Sequence, residues 1–118
     1  IIYRAMKAHE YKSKFATKPI VYVDMDGVLA DFFGEIARRH KVDYWREIHR
    51  QDIGIDQIAQ EPGFFRQLPK MPNAMNFIKG LASIVPQYSI LSSPLMSEVA
   101  QSTREKSQWL GQHLTNYP

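Results

Sequence analysis

The stretch Ile20-Val21-Tyr22-Val23-Asp24-Met25-Asp26-Gly27-Val28-Leu29-Ala30-Asp31-Phe32 constrains this chain more than any other. Pro19 is followed by four β-formers in a row, a short apolar run that predicts a buried strand. The run breaks into two aspartates one residue apart. A carboxylate at the end of a buried strand is costly unless something binds it. Gly27 supplies the permissive backbone of a tight turn. Strand, acidic turn and helix in succession is how open α/β sheets build sites at the carboxyl ends of their strands.

The 118 residues predict one domain large enough for a real core. Cysteine is absent, which excludes disulfides and thiolate metal sites. No apolar run reaches the length of a membrane span, and the N-terminus lacks the apolar core of a secretory signal. A cytoplasmic protein without a membrane partner is therefore expected. The net charge of +3 is unevenly placed. Residues 1–18 carry Arg4, Lys7, Lys12, Lys14 and Lys18 against Glu10, a local balance of +4, and the remainder stands at −1. A basic extension of this kind either binds nucleic acid or is a solvated helix face. The first residue is Ile1, not methionine, as expected of a processed product or a piece of something longer.

Ile1, Ala5, Ala8, Tyr11 and Phe15 recur at spacings of three and four, which predicts a basic helical extension over residues 1–18. The core is expected over 19–118. Phe32, Phe33, Ile36 and Ala37 predict a helix to about His40 with Asp31 as its N-cap. Residues 41–70 scatter Trp45, Ile48, Ile53, Ile55, Ile58, Phe64 and Phe65 among charges, punctuated by Gly54 and Pro62-Gly63. A connection this long is expected to form a small helical cap over the site. Pro72 opens a helix whose apolar face is Ala74, Phe77, Ile78, Leu81 and Val85, and Pro86 ends it. Gln87–Leu91 predicts a second strand, parallel to the first. Ser102-Thr103-Arg104-Glu105 fits a capping box for a last helix carrying Lys106, Trp109, Leu110, His113 and Leu114 on one side.

The polar residues at these element ends support phosphate chemistry. In D-x-D, one carboxylate can attack a phosphoryl group while the other moves protons. The phosphate's charge then needs neutralising, normally by Mg²⁺ and cationic groups. Asp24 and the Asp26 carbonyl suit that ion, which takes oxygen donors. The same pair can equally be a turn that caps the next helix. Ser92 and Ser93 can grip phosphate oxygens at a helix start, or simply form a turn. Lys106, expected in the first turn of its helix where a cation opposes the dipole, is either placed there for a role or snorkels to solvent.

Ile20–Asp31 resembles the first motif of the haloacid dehalogenase superfamily, and Ile90-Leu91-Ser92-Ser93-Pro94 resembles the second. V-D-M-D-G-V-L-A-D-F is particularly similar to the 5′(3′)-deoxyribonucleotidase family, as is Glu105-Lys106-Ser107-Gln108-Trp109. The resemblance implies a Rossmann-type parallel sheet with helices on both faces and an inserted cap. It implies a Mg²⁺-dependent phosphomonoester hydrolase acting on nucleoside monophosphates through an aspartyl-phosphate. Asp24 would be the nucleophile and a metal ligand, and Asp26 the general acid and base with its carbonyl on the metal. Ser92, Ser93 and Lys106 would hold the phosphate, with Phe32 near the base. That family continues into a further basic motif and a strand ending in paired acidic residues, and no Asp-Asp or Glu-Asp pair occurs here. Three readings stay open: a piece of a longer enzyme, a site completed by a second chain, or a non-catalytic phosphate-binding domain. The alternative substrates are another small phosphate ester or a nucleic-acid end. Exposed edges of an incomplete sheet would favour a homo-oligomer.

Overall fold

The apolar run after Pro19 delivers a strand only three residues long, and its last residue is the first aspartate. The computed structural model describes residues 2–4, 20–48 and 55–114. In chain order these form β1 (Ile2–Arg4), β2 (Tyr22–Asp24), α1 (Phe32–Arg39), a 3₁₀ turn at Trp45–Glu47, α2 (Ile55–Ala59), α3 (Ala74–Ile84), β3 (Ser89–Leu91) and α4 (Val99–His113). The architecture is α/β, in the manner of the Rossmann-type sheet of the haloacid dehalogenase superfamily. No described helix is long and apolar enough to cross a membrane.

The described sheet runs in the order β1-β3-β2. β2 and β3 are parallel, with Tyr22 opposite Ser89, Val23 opposite Ile90 and Asp24 opposite Leu91. The parallel pair joined through α3 is what the strand–helix–strand pattern predicts. Burial alternates along both strands. Val23 and Ile90 point into the core, whereas Tyr22 and Leu91 remain 48 % and 45 % exposed. The apolar run was expected to be buried throughout; instead the described residues cover one face of the sheet, and Ile20 and Tyr22 stay in solvent. A period of two along the strand forces this division once a single face is packed.

The helix expected over residues 1–18 is corrected at its start. Ile2–Arg4 are a strand, antiparallel to β3 with Tyr3 opposite Ile90. Ile-Ile-Tyr favours extended backbone, and β3 has an edge whose N–H and C=O groups need partners. Residues 5–19, where the rest of that expectation falls, lie outside the described residues, as do Ile53 and Gly54 of the expected cap.

The core lies between the sheet, α3, α4 and the segment 59–68. Met25, Leu29, Ile36, Ile90, Trp109 and Leu110 are fully buried at its centre. Each such side chain contributes about 1.5–3 kcal/mol relative to exposure. On α3, Ala74 and Ile78 are buried, but Phe77 is half exposed, so the face that packs is narrower than the sequence pattern. The largest correction is in α4. It begins at Val99, with Glu98 at the N-cap, not at Ser102. Ser102 sits inside the helix, accepting from the Leu95 amide at 2.9 Å. The apparent capping box is therefore the second turn of a helix, and Lys106 lies in mid-helix, away from the opposing dipole.

Candidate active site

The loop after β2 is wound around one carbonyl. Met25 O accepts from the amides of Val28, Leu29 and Ala30 at 3.3, 2.9 and 3.0 Å, and Gly27 N donates to Ala30 O at 2.8 Å. Gly27 makes the winding feasible at φ +81°; a Cβ there would also lie 3.0 Å from the Phe33 ring. The loop is stitched to the chain entering α3: Asp31 N donates to Pro69 O at 2.8 Å and Met71 N to Leu29 O at 2.7 Å. Burying Met25 between the two aspartates anchors the turn in the core. It leaves Asp24 exposed and Asp26 half-buried.

α1 starts as expected, with the Asp31 carboxylate accepting from Gly34 N at 3.0 Å. Gly34 is part of the cap, because a Cβ at that position would run into the Asp31 carboxylate.

Lys106 gathers the site. It is 1 % exposed, and its ammonium donates to Asp26 Oδ2 at 2.9 Å, Ser92 Oγ at 2.8 Å and the Ser93 carbonyl at 2.6 Å. A buried ammonium survives only when all its protons are used, and here three acceptors use them. Burial removes the snorkelling alternative. The structure thus brings Asp26, Ser92, Ser93 and Lys106 directly together. Ser93 enters through its carbonyl, and its side chain is exposed. Asp24 ends β2 opposite Leu91, the residue before Ser92. Phe32 joins through another ring: it stacks on Phe65 at 5.9 Å and 11°, and Lys106 Nζ sits 4.8 Å from the Phe65 centroid.

Sequence reasoning did not single out Phe65 or Glu105 as site residues. Glu105, 7 % exposed, accepts from the backbone amides of Gly63, Phe65 and Arg66. Four residues along α4, Trp109 donates its indole N–H to Leu68 O at 2.7 Å. Glu105 and Trp109 thus fasten segment 63–68 to the same helix that carries Lys106. The signal lay in E-K-x-x-W itself, where both residues flank the lysine at helical spacing.

Beside the loop, a cavity of about 250 Å³ is lined by Gly27, Asp31, Phe33, Tyr44, Trp45 and Met71, among others. The Phe33 and Trp45 rings stand 5.0 Å apart at 34°. Phe33, not Phe32, faces this cavity. At the far end of α4, His113 packs on Trp109 at 4.4 Å, and burial, reinforced by Lys70, holds its imidazole below the ordinary value of 6.5.

The donors suit Mg²⁺ in type. The ion takes one or two carboxylates and keeps several waters. Asp26 Oδ1 is buried without a hydrogen-bond partner among the described residues, and Asp24 is exposed beside it in sequence. Among the described residues no group of three or more His, Cys, Asp or Glu gathers to hold a metal. Among the described residues the set stops at the Asp24 carboxylate and the Asp26 carbonyl.

Residues 18–118 match the family described as 5′ nucleotidase, deoxy (pyrimidine), cytosolic type C protein. Similar curated proteins include a Putative 5′(3′)-deoxyribonucleotidase of Staphylococcus aureus, 32 % identical over 108 residues, covering 80 % of this chain and 58 % of the relative. One of the same name from Bordetella pertussis is 30 % identical over 117 residues, covering 80 % and 60 %. The cytosolic-type 5′(3′)-deoxyribonucleotidase of Homo sapiens is 30 % identical over 115 residues, covering 80 % and 57 %. The chain thus spans about three-fifths of the length of the curated relatives it matches.

Proposed function

The chain belongs to the 5′ nucleotidase, deoxy (pyrimidine), cytosolic type C family of the haloacid dehalogenase superfamily, and we propose that it acts as a cytoplasmic nucleotidase on deoxyribonucleoside monophosphates. The observation that carries this reading is the ammonium of Lys106, which ties Asp26 to Ser92 and Ser93 at the carboxyl ends of two parallel strands. A buried cation ringed by a carboxylate and a serine loop is a ready counter-charge for a phosphoryl group. The cytosolic designation of the human relative supports the compartment.

In this mechanism the Asp24 carboxylate, exposed at the end of β2, attacks phosphorus, and the P–O bond to the nucleoside breaks. Asp26 gives its proton to the leaving oxygen, so the nucleoside departs as an alcohol. Asp26 then takes a proton from the water that attacks the aspartyl-phosphate, which releases inorganic phosphate and restores Asp24. Lys106 occupies Asp26 Oδ2, leaving Oδ1 as the oxygen that carries the proton. Ser92 and Ser93 hold the phosphoryl oxygens, and the buried positive charge of Lys106 attracts them from behind that grip. Phe32 and Phe65 flank that grip, and the cavity at Phe33, Tyr44 and Trp45 takes the planar base. In this reading the insertion over about 41–70 serves as the cap over these groups. Asp24 and the Asp26 carbonyl would hold Mg²⁺, which when bound would neutralise the phosphoryl charge.

Hydrolysis of a deoxyribonucleoside monophosphate by the parent and by Asp24→Asn tests the reading. An active parent beside an inert variant is expected, and equal activity in both would sink it. The absence of a third carboxylate near Asp24 and Asp26 among the described residues favours a second reading, phosphate binding without turnover. Phosphate binding by a parent that hydrolyses no ester would select it.

A further inference from the structure

Glu105 is buried next to the phosphate grip but makes no ion pair among the described residues. Its carboxylate is satisfied by backbone instead. Gly63 N donates to Oε2 at 3.1 Å, and Phe65 N and Arg66 N donate to Oε1 at 3.1 and 3.4 Å. Gly63, at φ +86°, lets the turn aim these amides at one point. Such convergent N–H groups form an anion-binding concavity, and their bonds to a charged acceptor are the strong kind.

Satisfying the carboxylate does not explain why an acid stands there at all. The contacts one step further do. The backbone that Glu105 holds belongs to Phe65, whose ring lies under Lys106 Nζ at 4.8 Å and stacks on Phe32. Lys106 is the next residue of α4. Two adjacent helix residues therefore hold one phenylalanine from both ends, the carboxylate by its amide and the ammonium by its ring. A ring fixed in this way limits where the ammonium can swing, and position within about an ångström decides how well such a group meets its target.

We propose that Glu105 is a positioning residue: by clamping the 63–66 turn it sets the Phe65 ring against Lys106 and so places the ammonium for phosphate. The proposal rests on the reading of Lys106 as a phosphate-holding group.

Titration of the intact chain with inorganic phosphate and Mg²⁺, followed by NMR, reads the grip without requiring turnover. Glu105→Gln swaps one acceptor oxygen for a donor facing the same amides, and Phe65→Leu removes the ring. Each is expected to weaken phosphate binding about threefold, the scale of one ammonium–ring contact. The double variant is expected to lose no more than Phe65→Leu alone, because both act through one ring. Amide exchange at Gly63, Phe65 and Arg66 should also accelerate in Glu105→Gln. Losses that multiply in the double variant would overturn the proposal. So would unchanged phosphate affinity in Glu105→Gln despite faster exchange, since the clamp would then be structural only. If Glu105→Gln fails to fold, Phe65→Leu decides: unchanged affinity overturns the proposal and weakened affinity in a folded chain supports it. A parent that binds phosphate but cleaves no ester refutes the proposed hydrolysis and leaves this inference standing. A parent that binds none removes both.

Discussion

The Lys106 ammonium lies 2.9 Å from Asp26 Oδ2, although 80 positions separate the two residues. One comes from a core helix and the other from the turn after a strand. Their meeting closes the site, and Ser92 and Ser93 complete the ring of acceptors.

Lys106→Met keeps the unbranched shape and most of the length of the side chain and removes its charge. Turnover is expected to fall by about 100-fold or more, the usual loss when a donor to a developing negative charge is removed. Stability is expected to drop by about 1–3 kcal/mol, because acceptors that faced the ammonium lose their donor. Nucleotide hydrolysis and urea denaturation measure the two effects separately.

Asp31 and Gly34 should behave as a unit. Asp31→Ala removes the cap of α1 and is expected to cost about 1 kcal/mol. Gly34→Ala would ordinarily stabilise a helix interior by about 1 kcal/mol. Here it should destabilise, because the new methyl meets the Asp31 carboxylate. In the double variant the obstruction is gone, so Gly34→Ala should become stabilising against the Asp31→Ala background. Thermal melts of the four proteins check the change of sign.

Trp109→Phe retains a buried ring but deletes the bond to Leu68 O. The stranded carbonyl should cost about 1–3 kcal/mol. Amide exchange in segment 63–68 should rise with it, since that segment loses one of its two ties to α4. A loss of stability without faster exchange there would contradict the second half of this expectation.

His113 should make stability depend on pH. Burial first, and Lys70 second, lower its folded-state pKa below the ordinary 6.5. The unfolded chain then binds the proton more readily, so stability rises with pH across the interval between the two values. The contribution is fully present above 6.5 and is lost as pH falls through the lowered folded value. His113→Gln should flatten this part of the stability profile. Melting temperatures of both proteins, taken at a pH above that interval and at one below it, provide the measurement.

The two aspartates and the lysine drew notice because each stands at a point where a local rule breaks, whereas Ser92 and Ser93 read equally well as a turn. Asp24 and Asp26 interrupt an apolar run, and Lys106 interrupts an inward helix face. Asp31 was legible as a cap for the same local reason. The start of α4 was misread because Ser102 and Glu105 match a capping box in spacing alone. The choice between that box and a longer helix rests on what Glu105 meets across the core, and it meets the 63–66 turn. Ile2–Arg4 show the same limit: helical spacing over a few residues lost to a strand edge with free backbone groups.

By itself the sequence determined the family likeness: a strand ending in D-x-D, a serine pair after a second parallel strand, and an E-K-x-x-W helix. Those are statements about residue types at short spacings, and short spacings survive without tertiary knowledge. Only the tertiary structure decided that Lys106 is buried in mid-helix and spends its protons on Asp26, Ser92 and Ser93. It alone showed that Glu105 and Trp109 bind the segment above it, and that Phe33, not Phe32, faces the aromatic cavity. The physical reason is that a buried charge takes whichever acceptors the packing brings within hydrogen-bond reach, and packing joins residues whose separation along the chain carries no signal of their contact.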